Sequence, residues 1–382
     1  MGYGKAFYFV FFGAAACLIP FLALYYQSLG LSGREIGFLS GIVPLITMVG
    51  ASIWSMISDA TGKHRLLFLI SLCGVWLSVL LMTQAATFVQ LIPVVMIYAL
   101  FFSPIIPLTD NSVMAMLGEQ SSEYGRIRVW GAYGWGIAAV IIGVVVERYG
   151  LQWGFAGFLS IWIFLLFIGS KLPMAVASAG GKFWQELQIL LSDRSWFLFL
   201  LVALIEGMSL GIFLSFLFIY LEEIGASRTI MGFTLLTATL SEIPIFLYSR
   251  KLLKRWNAPF LLALSLLFTV IRAFAYVNMT APWQVLIINL LHGLTFSLMW
   301  TAGVAYANQL APPGLGATAQ GVFAGTVMGL GSALGAFSGG IIYDAYGAVV
   351  AFQWAGFASL MALILFVWVN RRSFMGQMQA AR

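Results

Sequence analysis

Apolar runs of about twenty residues follow one another along the chain, separated by short polar stretches. Each run is long enough to cross a hydrocarbon core as a helix, and a helix satisfies its own backbone hydrogen bonds there. The pattern predicts twelve spans, at roughly 5–29, 35–57, 66–84, 88–116, 125–146, 152–171, 195–221, 229–249, 258–277, 282–309, 316–342 and 348–369. One connection is longer. From about 172 to 193 it mixes Gly and Ser with Lys182, Gln185, Glu186 and Gln188, and Phe183 to Leu191 reads as an amphipathic helix on the membrane face. The expected fold is an all-α integral membrane protein of two pseudo-symmetric six-helix bundles, 1–171 and 195–382, joined by a cytoplasmic linker at 172–194.

The halves echo each other. Gly30, Ser32 and Gly37 after the first span reappear as Gly225, Ser227 and Gly232 after the seventh. The stretch Gly143 to Gly150 reappears as Gly340 to Gly347, each ending in Tyr-Gly. The shared spacing favours duplication, a common plan among secondary transporters. Gly-rich span eleven, Gly321 to Gly340, reads as close helix packing rather than a ligand site.

Composition sharpens the class. With 62% hydrophobic and 8% charged residues over 382 positions, the chain is polytopic and not a water-soluble globule. The net charge of +6 reports orientation more than partners. Lys5, Lys63, Arg65, Lys171, Lys182, Arg194, Arg250, Lys251, Lys254, Arg255, Arg371, Arg372 and Arg382 fall on one side, against Arg34, Arg148 and Arg228 on the other. Both termini and the linker are therefore expected in the cytoplasm of a plasma (inner) membrane protein. Cys17 and Cys73 both fall within spans, so no disulfide framework or metal cluster is indicated. No cofactor and no nucleic-acid partner is implied, and a monomer in the bilayer is expected.

Charges kept inside apolar spans mark candidate sites, because an unpaired charge there costs several kcal/mol. Asp110 follows Pro104 and Pro107, which should bend span four. Arg128 and Trp135 are seven residues apart, about two helical turns, and share a face of span five, whereas Arg126 points the other way. In the second half Glu206, Glu242, Arg272 and His292 fall on spans seven, eight, nine and ten. A chain Glu242, His292, Arg272 could hold and release a proton if spans eight, nine and ten meet, since desolvation disfavours a charged carboxyl and a nearby cation favours it.

The loop Ser55-Met-Ile-Ser-Asp59-Ala-Thr-Gly62-Lys63-His64-Arg65 resembles the loop signature of the major facilitator superfamily. The resemblance implies that Asp59, Gly62, Lys63 and Arg65 act as a cytoplasmic gate; a simple positive-inside anchor is the alternative. The stretch Phe101-Phe-Ser-Pro-Ile-Ile-Pro-Leu-Thr-Asp110, followed by Tyr124-Gly-Arg-Ile-Arg128-Val-Trp-Gly-Ala-Tyr-Gly-Trp135, resembles the phenylpropionate permease branch and the oligosaccharide:proton symporter (lactose permease) type. By that resemblance Asp110 and Arg128 bind substrate, Trp135 stacks on a ring, and Glu242, Arg272 and His292 serve substrate binding and proton coupling. The symporters' proton-carrying glutamate, three residues after the histidine, is here Thr295. Coupling then falls to Glu242, Asp110 or Glu206, with Glu242 the first candidate. The expected function is a secondary transporter of a small solute, a sugar or an aromatic acid, working by alternating access with proton symport; an exporter or an uncoupled facilitator of the same fold is the alternative. The less favoured classes are an integral-membrane enzyme, which would need a paired catalytic set that His64 and His292 do not provide, and a channel, which would need a repeated pore element or an oligomeric ring rather than two six-helix halves with one asymmetric charge set.

Overall fold

The computed structural model describes residues 2–174 and 183–371, without the side chains of Ser55, Asp59, Glu119, Ser121 and Ser122 or of 183–185. Lys182, Arg372, Arg382 and the middle of the linker lie outside the described residues. Among the described residues twelve helices are long and apolar enough to cross a membrane: Gly2–Ser28, Gly33–Ser58, His64–Met82, Phe88–Leu117, Tyr124–Tyr149, Gln152–Lys171, Arg194–Glu223, Arg228–Arg255, Ala258–Val277, Gln284–Leu310, Gly316–Tyr346 and Ala348–Val369. These are spans one to twelve. The protein is thus an all-α, multi-pass membrane protein.

Helix ends follow side-chain chemistry. Ser32 and Glu35 form a reciprocal capping box at the start of span two. Thr87, Asp193 and Asn257 each accept a backbone N–H at the start of spans four, seven and nine. Span four is interrupted as its prolines dictate: one helix runs Phe88–Phe102 and a second Ile105–Leu117. Spans ten and eleven are interrupted differently, by wide π-helical turns at Gly293–Ser297 and Gly325–Gly331. Such turns insert an extra residue per turn and recur at functional sites.

The chain divides into two compact units, Met1–Gly180 with Ala226–Leu236, and Gly181–Gly225 with Thr237–Arg382. In the first, span one packs on spans five and six, and span four packs on spans two and three. In the second, span seven packs on spans eleven and twelve, and span ten on span nine. Adding six to each span number converts one pattern into the other, except for the packing of span four on span two, which spans ten and eight match only by a local approach. The first core centres on Phe7, Phe11, Phe68, Phe158 and Trp162, whose indole donates to the Leu72 carbonyl at 2.9 Å. Its counterpart centres on Trp196, Phe199 and Phe323, with the Trp196 indole on the Leu310 carbonyl at 3.1 Å. Close backbone approach is the shared device. A Cβ at Gly134 would meet the Phe9 carbonyl oxygen at 2.0 Å, and one at Gly335 would meet that of Met208 at 2.0 Å. The helix Phe183–Leu191 joins the second unit, with Leu190 in its core and Thr318 donating to Glu186.

Candidate functional site

In the first unit the site grows from the broken span four. Restarting the helix at Ile105 carries Asp110 to a half-buried position, where the Tyr8 hydroxyl of span one donates to its Oδ1. Tyr124 also engages Tyr8 and Asp110. Arg128 does not pair with Asp110. Its guanidinium lies over the Tyr8 ring at 4.9 Å and the Phe12 ring at 4.4 Å, geometry that favours a cation on aromatic faces. Gly131, one turn further, leaves the room: a Cβ there would meet Phe12 at 2.6 Å and Arg128 Nη1 at 3.0 Å. Tyr8 is therefore the hinge of the cluster, bonded to the carboxylate through its hydroxyl and facing the guanidinium with its ring. Among the described residues the N–H groups of Arg128 have no hydrogen-bond acceptor, and Trp135, half-buried, has neither a hydrogen-bond nor a ring partner.

The second unit holds a denser network. Arg272, only 5% exposed, donates from Nε to the Tyr276 hydroxyl at 2.9 Å, from Nη1 to His292 Nδ1 at 2.7 Å and to Thr295 at 3.1 Å, and from Nη2 to Asn289 Oδ1 at 2.6 Å. Tyr276 also donates to Asn289 Oδ1, at 2.7 Å. A guanidinium has no acceptor, so His292 Nδ1 is the acceptor of its bond and the ring proton sits on Nε2. Nε2 faces Glu242 Oε1 at 3.1 Å. The structure thus brings together Glu242, His292 and Arg272, from spans eight, ten and nine.

Gly293 makes that meeting possible. A Cβ at this position would lie 2.1 Å from the Ser241 carbonyl oxygen, and the Gly293 N–H donates to the Ser241 hydroxyl at 2.9 Å. Spans eight and ten therefore touch backbone to backbone beside Glu242. Glu206 lies apart from the His292 pair. It is buried, accepts from the Thr269 hydroxyl at 3.1 Å through Oε2, and lines a cavity wide enough for a water molecule together with Arg272 and Thr295.

At the loop after span two, Gly62 adopts φ +65° and ends the helix, with its N–H on the Ser58 carbonyl at 2.9 Å. Lys63 is exposed. Ser58 bonds the buried His64, and Arg65 donates to the Ser170 carbonyl at the end of span six. The side chain of Asp59 lies outside the described residues.

Tyr8, Phe12 and Tyr124 were not legible as site residues, because Tyr8 sits in an aromatic run, Phe7 to Phe12, that any buried helix could carry. Asn289 and Tyr276 left a faint signal. They stand three residues before His292 and four after Arg272, on the same helix faces, and an amide within a span needs a partner.

Known proteins agree with this architecture. The MFS_1 like family matches residues 4–354. The chain is 27% identical to the maltose permease of Geobacillus stearothermophilus over 91% of its own length and 89% of that protein's. It is 25% identical to the probable 3-phenylpropionic acid transporter of Escherichia coli (strain K12), over 78% of this chain and 80% of that one. Its fold matches the crystal structure of the nucleoside transporter NupG with a TM-score of 0.83 at 15% identity, covering 97% and 98% of the two chains. The chain is a membrane transporter of a small solute and not an enzyme, and it belongs to the MFS_1 like family.

Proposed function

We propose that the protein imports a neutral polyhydroxylated ring compound, of the sugar or oligosaccharide class, together with a proton, by alternating access. The observation that carries the reading is the cluster on Tyr8. Asp110 offers an acceptor and Arg128 a fork of N–H donors, so a solute hydroxyl that donates to one and a neighbouring oxygen that accepts from the other are both served. Trp135, without a partner of its own, offers a ring face. Proton coupling is assigned to Glu242, Arg272 and Glu206 of the second unit, and a part in solute binding to His292. Asp59, Gly62, Lys63 and Arg65 form the cytoplasmic gate, and both termini are cytoplasmic.

A second reading, an aromatic carboxylate as solute, is favoured by one fact: the N–H groups of Arg128 have no acceptor among the described residues, as a carboxylate would want. Asp110 beside it speaks against a second negative charge. Thermal shift of the purified protein against neutral sugars, nucleosides and aromatic acids separates the two. Stabilisation by a sugar that disappears in Arg128→Ala supports the first reading, and stabilisation by aromatic acids alone replaces it with the second.

A further inference from the structure

Glu206 Oε1 is one of two buried side-chain polar atoms without a hydrogen-bond partner among the described residues, and the one that belongs to an ionisable group; the other is Ser297 Oγ. Glu206 Oε2 has one donor, Thr269. An ionised carboxylate offers about four acceptor sites, and burying it with one filled is costly. The nearest cation does not neutralise it, for Arg272 spends four of its five N–H bonds on Tyr276, His292, Thr295 and Asn289. Yet Glu206 and Arg272 both line the same small, water-sized cavity.

We propose that Glu206 is the group that binds the coupled proton, and that Arg272 reads its charge. This rests on the proton-symport reading above and moves the carrier from Glu242, the first candidate by sequence, to span seven. With the proton on Oε1, Glu206 is neutral and Arg272 stays on the neutral acceptors of spans nine and ten. When the proton leaves through the cavity water to solvent, Glu206 becomes a carboxylate and draws Arg272 across the cavity. His292 Nδ1 then loses its donor. The ring that pairs with Glu242 is freed to turn, which passes the change in charge to the Glu242 side of the network. No covalent bond other than the carboxyl O–H is made or broken.

The surroundings favour a proton over a metal cation. The charged group facing Glu206 is Arg272 of span nine, a permanent positive charge that would repel sodium. Span ten offers Thr295, Phe296 and Met299 to the cavity. Spans eleven and twelve meet span seven through Gly207 against Val327, Gly211 against Ser332 and Ser209 against Ser359, none of them titratable. Glu242 has a different character: its side chain is 26% exposed and already holds the His292 Nε2–H, as a group reached from solvent would.

Infrared difference spectroscopy of the purified protein, with pH as the perturbation, reads the proton directly. The expected result is a protonated-carboxyl band that shifts in D2O, vanishes in Glu206→Gln, survives in Glu242→Gln and is displaced in Thr269→Val, which removes the one hydroxyl donor without touching the carboxyl. In proteoliposomes Glu206→Gln should exchange solute but fail to accumulate it under a pH gradient. A band that persists in Glu206→Gln, or that vanishes only in Glu242→Gln, overturns the assignment while leaving proton symport intact. If the parent accumulates solute only with sodium, or shows no gradient-driven uptake at all, the symport reading falls and this assignment falls with it.

Discussion

Arg128 rests on two aromatic faces, and its N–H groups meet no acceptor among the described residues. Packed on Tyr8 and Phe12, the guanidinium is held without using its hydrogen-bonding capacity, so removing it should harm binding more than folding. Arg128→Ala is expected to weaken solute binding by about 1.5–3 kcal/mol, roughly 10- to 150-fold in Kd, with the melting temperature nearly unchanged, and Asp110→Ala to weaken it as much with a lowered melting temperature, because the buried Tyr8 hydroxyl loses its acceptor. Isothermal titration beside a thermal melt checks both halves of that statement. Trp135→Phe should be mild and Trp135→Ala severe, and equal effects would remove the stacking role. Arg272 is the opposite case. It ties together four protein groups, and without it the buried His292 Nδ1 loses its donor, at a cost of about 1–3 kcal/mol, so Arg272→Ala should lower the melting temperature whether or not solute is present.

Elements set which of these residues meet. Gly293 joins spans eight and ten at backbone distance, and any side chain there must push Ser241 away. Gly293→Val should therefore separate Glu242 from His292 and abolish coupled uptake, while Gly321→Ala on span eleven, where a Cβ would find open space, should be silent. Transport assays on the pair decide it. The twelve spans themselves were legible, since long apolar runs leave one possible conformation in lipid. Their boundaries differ from the expected ones mainly where helices continue into the interface, as span eight does to Arg255. The break in span four was legible from Pro104. The wide turn after His292 was not, because it is set by the tertiary contact with span eight rather than by any local propensity in Gly293 to Ser297. The meeting of Glu242, His292 and Arg272 was legible only as a condition on three helices. Tyr8 escaped because one hydroxyl in an aromatic run carries no period.

At the scale of the whole molecule, transport needs a conformational balance, and on the proposed gate reading Asp59 sets it. Asp59→Asn should shift cysteine accessibility from one side of the membrane to the other while leaving solute affinity intact, and unchanged labelling would reduce the loop to an anchor. The two six-span sets share most of one packing pattern yet carry different chemistry: a guanidinium resting on aromatic rings in one, a guanidinium with four of its five N–H groups bonded in the other. What has stayed the same is elsewhere. Gly30 and Gly225 stand at φ +79° and +78°, and Gly150 and Gly347 at +97° and +83° with ψ of 166° and 174°. A mirror-image residue would accept such angles, and an L side chain resists them. Polar side chains can be traded for others as a solute changes, but among the encoded residues nothing substitutes for an achiral one. The symmetry of the two halves is thus kept in handedness where it is lost in chemistry.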